Sequence, residues 1–177
     1  MKIIVAKYKE NIDWTRTLGG EVIVINKDPD ITTDYDLPND CGRECSSYLD
    51  YIIKNYDSLD GEYLFTQGRH EDQAPELPTE LHNKRYFGHF YECNEAGGPH
   101  LPTGAPLHQY CDFLEVEKKN HYKFRCGAFM RLNATDLKSH PKEYYKTMLN
   151  FAQTEPISSH CFERLWPLVF PVLQKDL

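Results

Sequence analysis

The sequence predicts an α/β fold, a three-layer domain with helices covering both faces of a mainly parallel central sheet. Three observations predict it. Short β-branched runs at 2–6 (KIIVA) and 21–26 (EVIVIN) alternate with helical segments, the order strand, helix, strand, loop, helix, strand that builds crossover units. The near-continuous Val and Ile of the second run suit a strand buried on both faces. A third apolar run, Tyr63-Leu64-Phe65, opens into the polar Thr66-Gln67-Gly68-Arg69-His70, and the carboxyl ends of strands in layered α/β domains are where ligands sit.

Each element has its own local reason. Asn11 is placed to cap a short helix through Leu18, which Gly19-Gly20 ends. The loop 27–38, rich in Asp, Pro and Thr, is expected at the surface near the strand ends. Cys45, Tyr48, Leu49, Ile52, Ile53 and Tyr56 recur at helical spacing, and Asn39 or Asp40 can cap that helix. Glu44 in its first turn suits the positive end of the helix dipole. Residues 71–121 lose periodicity and read as a loop-rich insert in a single domain spanning 1–177, with 94–106 as a lid or acceptor loop. Residues 122–132 (YKFRCGAFMRL) alternate again and predict one strand containing Gly127. Pro141 suits the first position of a helix to about Ala152, with Tyr144, Tyr145, Met148 and Leu149 on its apolar side. A last helix is expected from Ser158 or Ser159, burying Phe162, Leu165, Trp166 and Val169 and losing its pattern at Pro171.

Bulk properties narrow the function classes. A chain of 177 residues with 13% aromatics is long enough for a real core. A net charge of −7 argues against a general nucleic-acid binder, because phosphate neutralisation supplies most of that affinity, although a local basic patch is compatible with it. No apolar run reaches membrane-spanning length, and the start MKIIVAKY turns polar too soon for a signal peptide, so a cytoplasmic protein is expected. The six cysteines contain no C-x-x-C pair and are expected as free thiols. Cys41 and Cys45 at i,i+4 fit a zinc site or, equally, a core-facing helix.

Four places have residue types suited to chemistry. At the predicted helix start, Asn39, Gly42 and Arg43 offer free amides and a guanidinium to an anion; an ordinary capped helix is the alternative. Gln67, Gly68 and Arg69 follow a buried strand and suit a sugar hydroxyl or phosphate; a tight surface turn is the alternative. Gly127 inside an apolar strand marks either a ligand's close approach or a β-bulge. Glu163, at the border of an apolar helix face, is either a partly buried general base or half of a surface ion pair, and His160 lies one turn away. No H-E-x-x-H, P-loop, G-x-S-x-G or G-x-G-x-x-G is present.

The pieces IIVAKYKENIDW, VIVINK, LPNDCGRECSSYLDYIIKNYDSL, FTQGR, GAFMRL, PKEYYKTML and FERLW together resemble an uncharacterised domain-of-unknown-function family. The N-x-x-G-R-E, Q-G and E-R-L-W pieces carry most of that resemblance, which covers roughly 2–72 and 122–170. The family in turn looks like nucleotide-sugar glycosyltransferases of the GT-A type, which implies a GT-A-like (Rossmann-like) domain. The resemblance implies Ala6, Tyr8 and Asn11 near the base, Asn39, Gly42 and Arg43 near the donor, Gly127 at the sugar pocket, and Glu163 as the base toward the acceptor hydroxyl. In such enzymes a D-x-D motif holds a divalent metal (Mn or Mg) on the diphosphate. Here Thr66-Gln67-Gly68-Arg69 stands in its place, so either Arg69 replaces the cation, or Asp72 recruits it, or the donor is not a nucleotide sugar.

The leading expectation is a glycosyltransferase moving a sugar from a nucleotide-sugar donor to a glycan or other hydroxyl acceptor. Glu163 is its base, Arg43 and Arg69 clamp the diphosphate, Gln67 touches the sugar, and Asp72 is the candidate metal ligand. The alternatives are a non-catalytic carbohydrate- or nucleotide-binding module on the same scaffold, and a hydrolase using Glu71, Asp72 or Glu163.

Overall fold

The computed structural model describes residues 1–28, 43–95, 107–155 and 157–177. Its main sheet has five strands: β1 (Lys2–Lys7), β2 (Glu21–Asn26), β3 (Glu62–Gln67), β4 (Tyr86–Phe87) and β7 (Phe129–Asn133). Their order is β2-β1-β3-β7-β4. The first half is parallel, with Ile4 opposite both Ile23 and Phe65. The second half is antiparallel, with Phe65 opposite Met130 and Met130 opposite Tyr86. The expectation of a mainly parallel sheet therefore holds for β2, β1 and β3 alone. The chain re-enters the sheet as β7 from the opposite direction.

Both faces are covered, as the hydrophobic runs require. Along β1, Ile4 and Ala6 face a large core with Tyr48, Leu49, Phe65, Phe162 and Trp166, while Ile3 and Val5 face a smaller one with Leu64, Leu77, Leu81, Phe87 and Phe129. The period-2 alternation of a strand thus serves two separate cores. The large core is roofed by α1 (Arg43–Asn55), α5 (Lys142–Thr154) and α6 (Ser158–Val169). In α1, Cys45, Tyr48, Leu49 and Ile52 are buried and Ile53 and Tyr56 partly so, which is the face the spacing predicted. In α6, Phe162, Leu165, Trp166 and Val169 are fully buried. Pro141 serves as N-cap of α5 rather than as its first helical residue. The helix predicted from Asn11 is a 3-10 turn, Asp13–Leu18, and Asn11 Oδ1 accepts from the Asp13 amide at its start.

The run 122–132 is two strands, not one. β6 (His121–Arg125) pairs with β5 (Phe90–Asn94) in a separate antiparallel ribbon, and β7 joins the main sheet. The break falls at Gly127 and Ala128, whose φ angles of 84° and 53° turn the chain sharply. Both halves alternate with period 2, so composition alone fuses them. Arg125 ties the ribbon down: it donates to the Gly88 carbonyl at 2.6 Å and to the Asp176 carbonyl at 2.6 and 2.8 Å. The segment expected to be loop-rich supplies α2 (Leu77–Glu80), β4, β5 and α3 (Leu107–Phe113); of the lid expected at 94–106, residues 96–106 lie outside the described residues.

The short helix α4 (Ala134–Leu137) is held at its start by a reciprocal cap: Asn133 Oδ1 accepts from the Asp136 amide at 2.8 Å, and Asp136 Oδ2 from the Asn133 amide at 2.9 Å. Asp136 also pairs with Arg85 at 2.8 Å, which joins α4 to the residue preceding β4. Asp136→Ala removes a cap and a half-buried ion pair together. We expect it to cost about 1–2 kcal/mol, read as a fall in Tm of roughly 2–8 °C; a Tm unchanged within error would show that the cap contributes nothing.

Candidate functional site

Parallel pairing puts the carboxyl ends of β1, β2 and β3 on one edge, and the amino ends of α1 and α6 come to the same edge. Between them lies a cleft of about 550 Å³. β1 contributes Ala6, Lys7 and Tyr8, the end of β2 contributes Lys27, and β3 contributes Gln67. Arg43 and Glu44 come from α1, and Ser159, His160, Glu163 and Arg164 from α6. Tyr91 and Phe124 of the ribbon also line it, their rings stacked at 5.9 Å.

One chain of hydrogen bonds joins three distant pieces of sequence. Gln67 Nε2 donates to the Gly127 carbonyl at 2.9 Å, and the Gly127 amide donates to Glu163 Oε1 at 2.6 Å. The other Glu163 oxygen accepts from Arg164 at 3.2 Å. Arg164 is buried, lies 4.7 Å over the Phe124 ring, and also donates to the His160 carbonyl at 2.7 Å. Burial raises the Glu163 carboxyl above its usual range, while the Gly127 amide and the Arg164 and Arg43 charges pull it back. His160 is depressed by burial first and then by Arg43 and Arg164, which favours the neutral imidazole.

Glu44 is the residue that sequence reasoning missed most clearly. It stood in view as a helix-start acid, yet it lines the cleft, and burial together with the Glu163 charge pushes its carboxyl up to about 7. The unfolded chain ionises this group near 4.5, so the native state holds a proton that the unfolded state gives up. Its contribution to stability is therefore full below about 4.5 and lost as pH rises through about 7. Glu44→Gln, a neutral isostere, is expected to raise Tm by a few degrees at pH 8 and by little at pH 5. Equal shifts at both pH values would contradict this placement of the proton.

Arg43 opens α1 with a φ of 45°, a left-handed conformation uncommon for a long side chain. Its carbonyl accepts from Lys27 Nζ at 2.6 Å and from Ser46 Oγ at 2.9 Å, contacts that hold the strained turn. Cys126 also lines the cleft, but burial pushes its thiol up, the reverse of an activated nucleophile.

The structure gathers Ala6, Tyr8, Arg43, Gln67, Asp72, His160 and Glu163 around this cleft, with Gly127 behind its wall. It does not bring Arg69 in. That side chain is 63% exposed and pairs outward with Asp72 at 3.0 Å, because the turn after β3 points it to solvent. Gly68 packs against Glu10 and gives its carbonyl to Trp14 Nε1 at 2.9 Å, and Asn11 is occupied with the 3-10 turn. Asn39 and Gly42 lie outside the described residues, as does Cys41 of the suggested zinc pair. Lys7, Glu10, Lys27, Glu44 and Arg164 are charged groups at the site that were unforeseen. Glu44 and Arg164 adjoin the residues that were singled out, and Lys27 follows the second strand directly.

Among the described residues no group of three or more His, Cys, Asp or Glu side chains is arranged to hold a metal ion. Asp72 stands at the rim with Arg69 as its partner. The described side chains thus form no all-protein cage for a divalent cation, and cations of the protein itself, Lys7, Lys27, Arg43 and Arg164, line the cleft. Cys45, Cys93, Cys111, Cys126 and Cys161 are free thiols. No helix among the described residues is long and apolar enough to cross a membrane.

A family model described as Protein of unknown function (DUF3431) matches residues 3–91, which include β1, β2, α1 and β3 and so the Arg43, Glu44 and Gln67 walls of the cleft. No curated protein and no solved structure matches the chain.

Proposed function

The chain belongs to the family of proteins of unknown function DUF3431, and from its cleft we propose that it is a glycosyltransferase with a GT-A-like scaffold, using a nucleotide-sugar donor and a hydroxyl acceptor. The observation that carries the reading is the placement of Glu163. A carboxylate held by the Gly127 amide and Arg164, partly withdrawn from water, faces a cleft that also holds Arg43. Such a group is placed to take the proton of an acceptor hydroxyl as it attacks. Arg43 and Lys27 supply positive charge for the leaving diphosphate, the task first assigned to Arg69. Gln67, whose amide nitrogen is held by the Gly127 carbonyl, lines the cleft and is the proposed contact of the donor sugar. The position of the cleft, at the carboxyl ends of parallel strands, fits this class of ligand.

A thermal-shift screen against nucleoside diphosphates and nucleotide sugars tests the proposal. One nucleotide class should raise Tm, since a ligand at a hundred times its Kd stabilises by about 2.7 kcal/mol. A matched nucleotide sugar should then be consumed in the presence of a hydroxyl acceptor. No stabilisation by any nucleotide, and no turnover, would end the proposal. Run with and without manganese, the screen also reads whether donor binding needs an ion. The absence of a carboxylate pair at Thr66-Gln67-Gly68-Arg69 favours one second reading, a binding module without turnover. Calorimetric donor binding with neither transfer nor donor hydrolysis would select it.

A further inference from the structure

We infer that Glu44 and Glu163 are an acid–base pair, in which Glu44 carries the proton that a bound phosphate oxygen receives and Glu163 is the carboxylate that accepts one. The inference deepens the transferase reading, on which its catalytic step rests.

The geometry separates the two carboxyls by their partners. They sit on different helices, α1 and α6, whose amino ends meet where the Cys45 thiol lies 3.8 Å from the Ser159 carbonyl. Glu163 accepts from a backbone amide at 2.6 Å and from a buried guanidinium at 3.2 Å. Among the described residues, Glu44 has its own backbone N–H and the Cys45 thiol at a long 3.9 Å. Two carboxylates in one half-dry cleft are costly to ionise together, so the one with the stronger hydrogen-bond and ion-pair partners keeps the charge and the other keeps a proton. The groups facing Glu44 are Arg43, Cys45 and Tyr48 on its own helix, Lys27 from the end of β2, and Glu163 from α6. Arg43 and Lys27 favour the ionised form, burial and Glu163 oppose it, and Cys45 and Tyr48 stay neutral because burial raises both well above their ordinary values. The balance leaves Glu44 able to give up its proton near neutrality.

The step closes in atoms and electrons. The acceptor hydroxyl gives its proton to Glu163 as its oxygen bonds to the sugar carbon. The bond from that carbon to the diphosphate oxygen breaks, its electron pair stays on the oxygen, and that oxygen takes the Glu44 proton. Glu163 ends protonated and Glu44 ionised, and one proton passing from Glu163 to Glu44 through water restores both.

Carboxyl carbon NMR of the full chain labelled with 13C-glutamate, titrated from pH 4 to pH 9, tests the proton's place. We expect one carbon to titrate near 7, to vanish in Glu44→Gln, and to move toward lower pH in Glu163→Gln. Inorganic pyrophosphate is the probe for the donor role. Between pH 8 and pH 6 its affinity for the natural chain should gain about tenfold over any gain seen with Glu44→Gln, the factor for one proton taken up near 7. Pyrophosphate's own protonation affects both proteins alike. Titration of every glutamate near 4.5, a pH dependence unchanged by Glu44→Gln, or no pyrophosphate binding would overturn the inference. Proton-coupled pyrophosphate binding without sugar transfer removes the transferase step and leaves Glu44 as a proton donor to phosphate. Transfer with an ordinary Glu44 does the reverse.

Discussion

Glu163→Gln is expected to lower the transfer rate by about 10²–10⁴-fold with little change in donor affinity, the range lost when a positioned general base is removed. The substitution keeps shape and keeps an oxygen for the Gly127 amide, so the wall behind the cleft stays in place. It removes the negative charge facing Arg164 and Glu44, and with it the capacity to take a proton. The loss should appear in kcat rather than in the donor's KM, because proton transfer belongs to the transition state. Tm should stay within a few degrees of the parent, as the carboxylate's partners are a single amide and one guanidinium. Full transfer by this variant would remove Glu163 from the mechanism and leave the cleft without a base.

Gly127→Ala should have a large effect on stability. Two penalties coincide there. The residue has a φ of 84°, a left-handed conformation costing an L side chain about 1–2 kcal/mol. An added Cβ would also fall inside the contact distance of the Phe129 ring and of Gln73 Oε1. Phe129 is fully buried in the smaller core, so its ring has nowhere to go without disturbing Leu77 and Leu81. Overpacking of this kind adds about 1–3 kcal/mol. The sum, about 2–5 kcal/mol, corresponds to a fall in Tm of roughly 4–20 °C for a chain of this size. Gly19→Ala is the comparison: its φ is 70°, yet nothing lies within 4 Å of the added carbon, so only the backbone penalty applies. If the two variants melt together, the packing half of the argument is wrong. Because the Gly127 amide holds Glu163 and its carbonyl holds Gln67, the same variant should also reduce any activity that survives.

The elements easiest to read were those whose pattern is written in adjacent residues. The face of α1 made by Cys45, Tyr48, Leu49 and Ile52, and that of α6 made by Phe162, Leu165, Trp166 and Val169, follow from a 3.6-residue period. The strands β1, β2 and β3 follow from short β-branched and aromatic runs, although β2, expected to be buried on both faces, is an edge strand with Val22, Ile23 and Val24 only half-buried. The split of 122–132 was not legible, because β6 and β7 share one alternation and the turn between them depends on the backbone angles of Gly127 and Ala128. Arg69 was misplaced for a related reason. Composition announces a polar turn after β3 but not its direction, and the turn sends Arg69 outward to Asp72.

By itself the sequence determined that β1, β2 and β3 are strands and that α1, α5 and α6 are helices, which faces of those helices are buried, and that Arg43, Gln67 and Glu163 have chemistry worth placing. Those are local properties, set by residue type and by the repeat of each backbone conformation. The tertiary structure alone decided that these three share one cleft, that Lys27, Glu44 and Arg164 join them, and that the sheet turns antiparallel beyond β3. It also raised the Glu44 carboxyl. Desolvation and the charge of Glu163, more than a hundred residues away, cause that, and both come into being only when the amino ends of α1 and α6 meet.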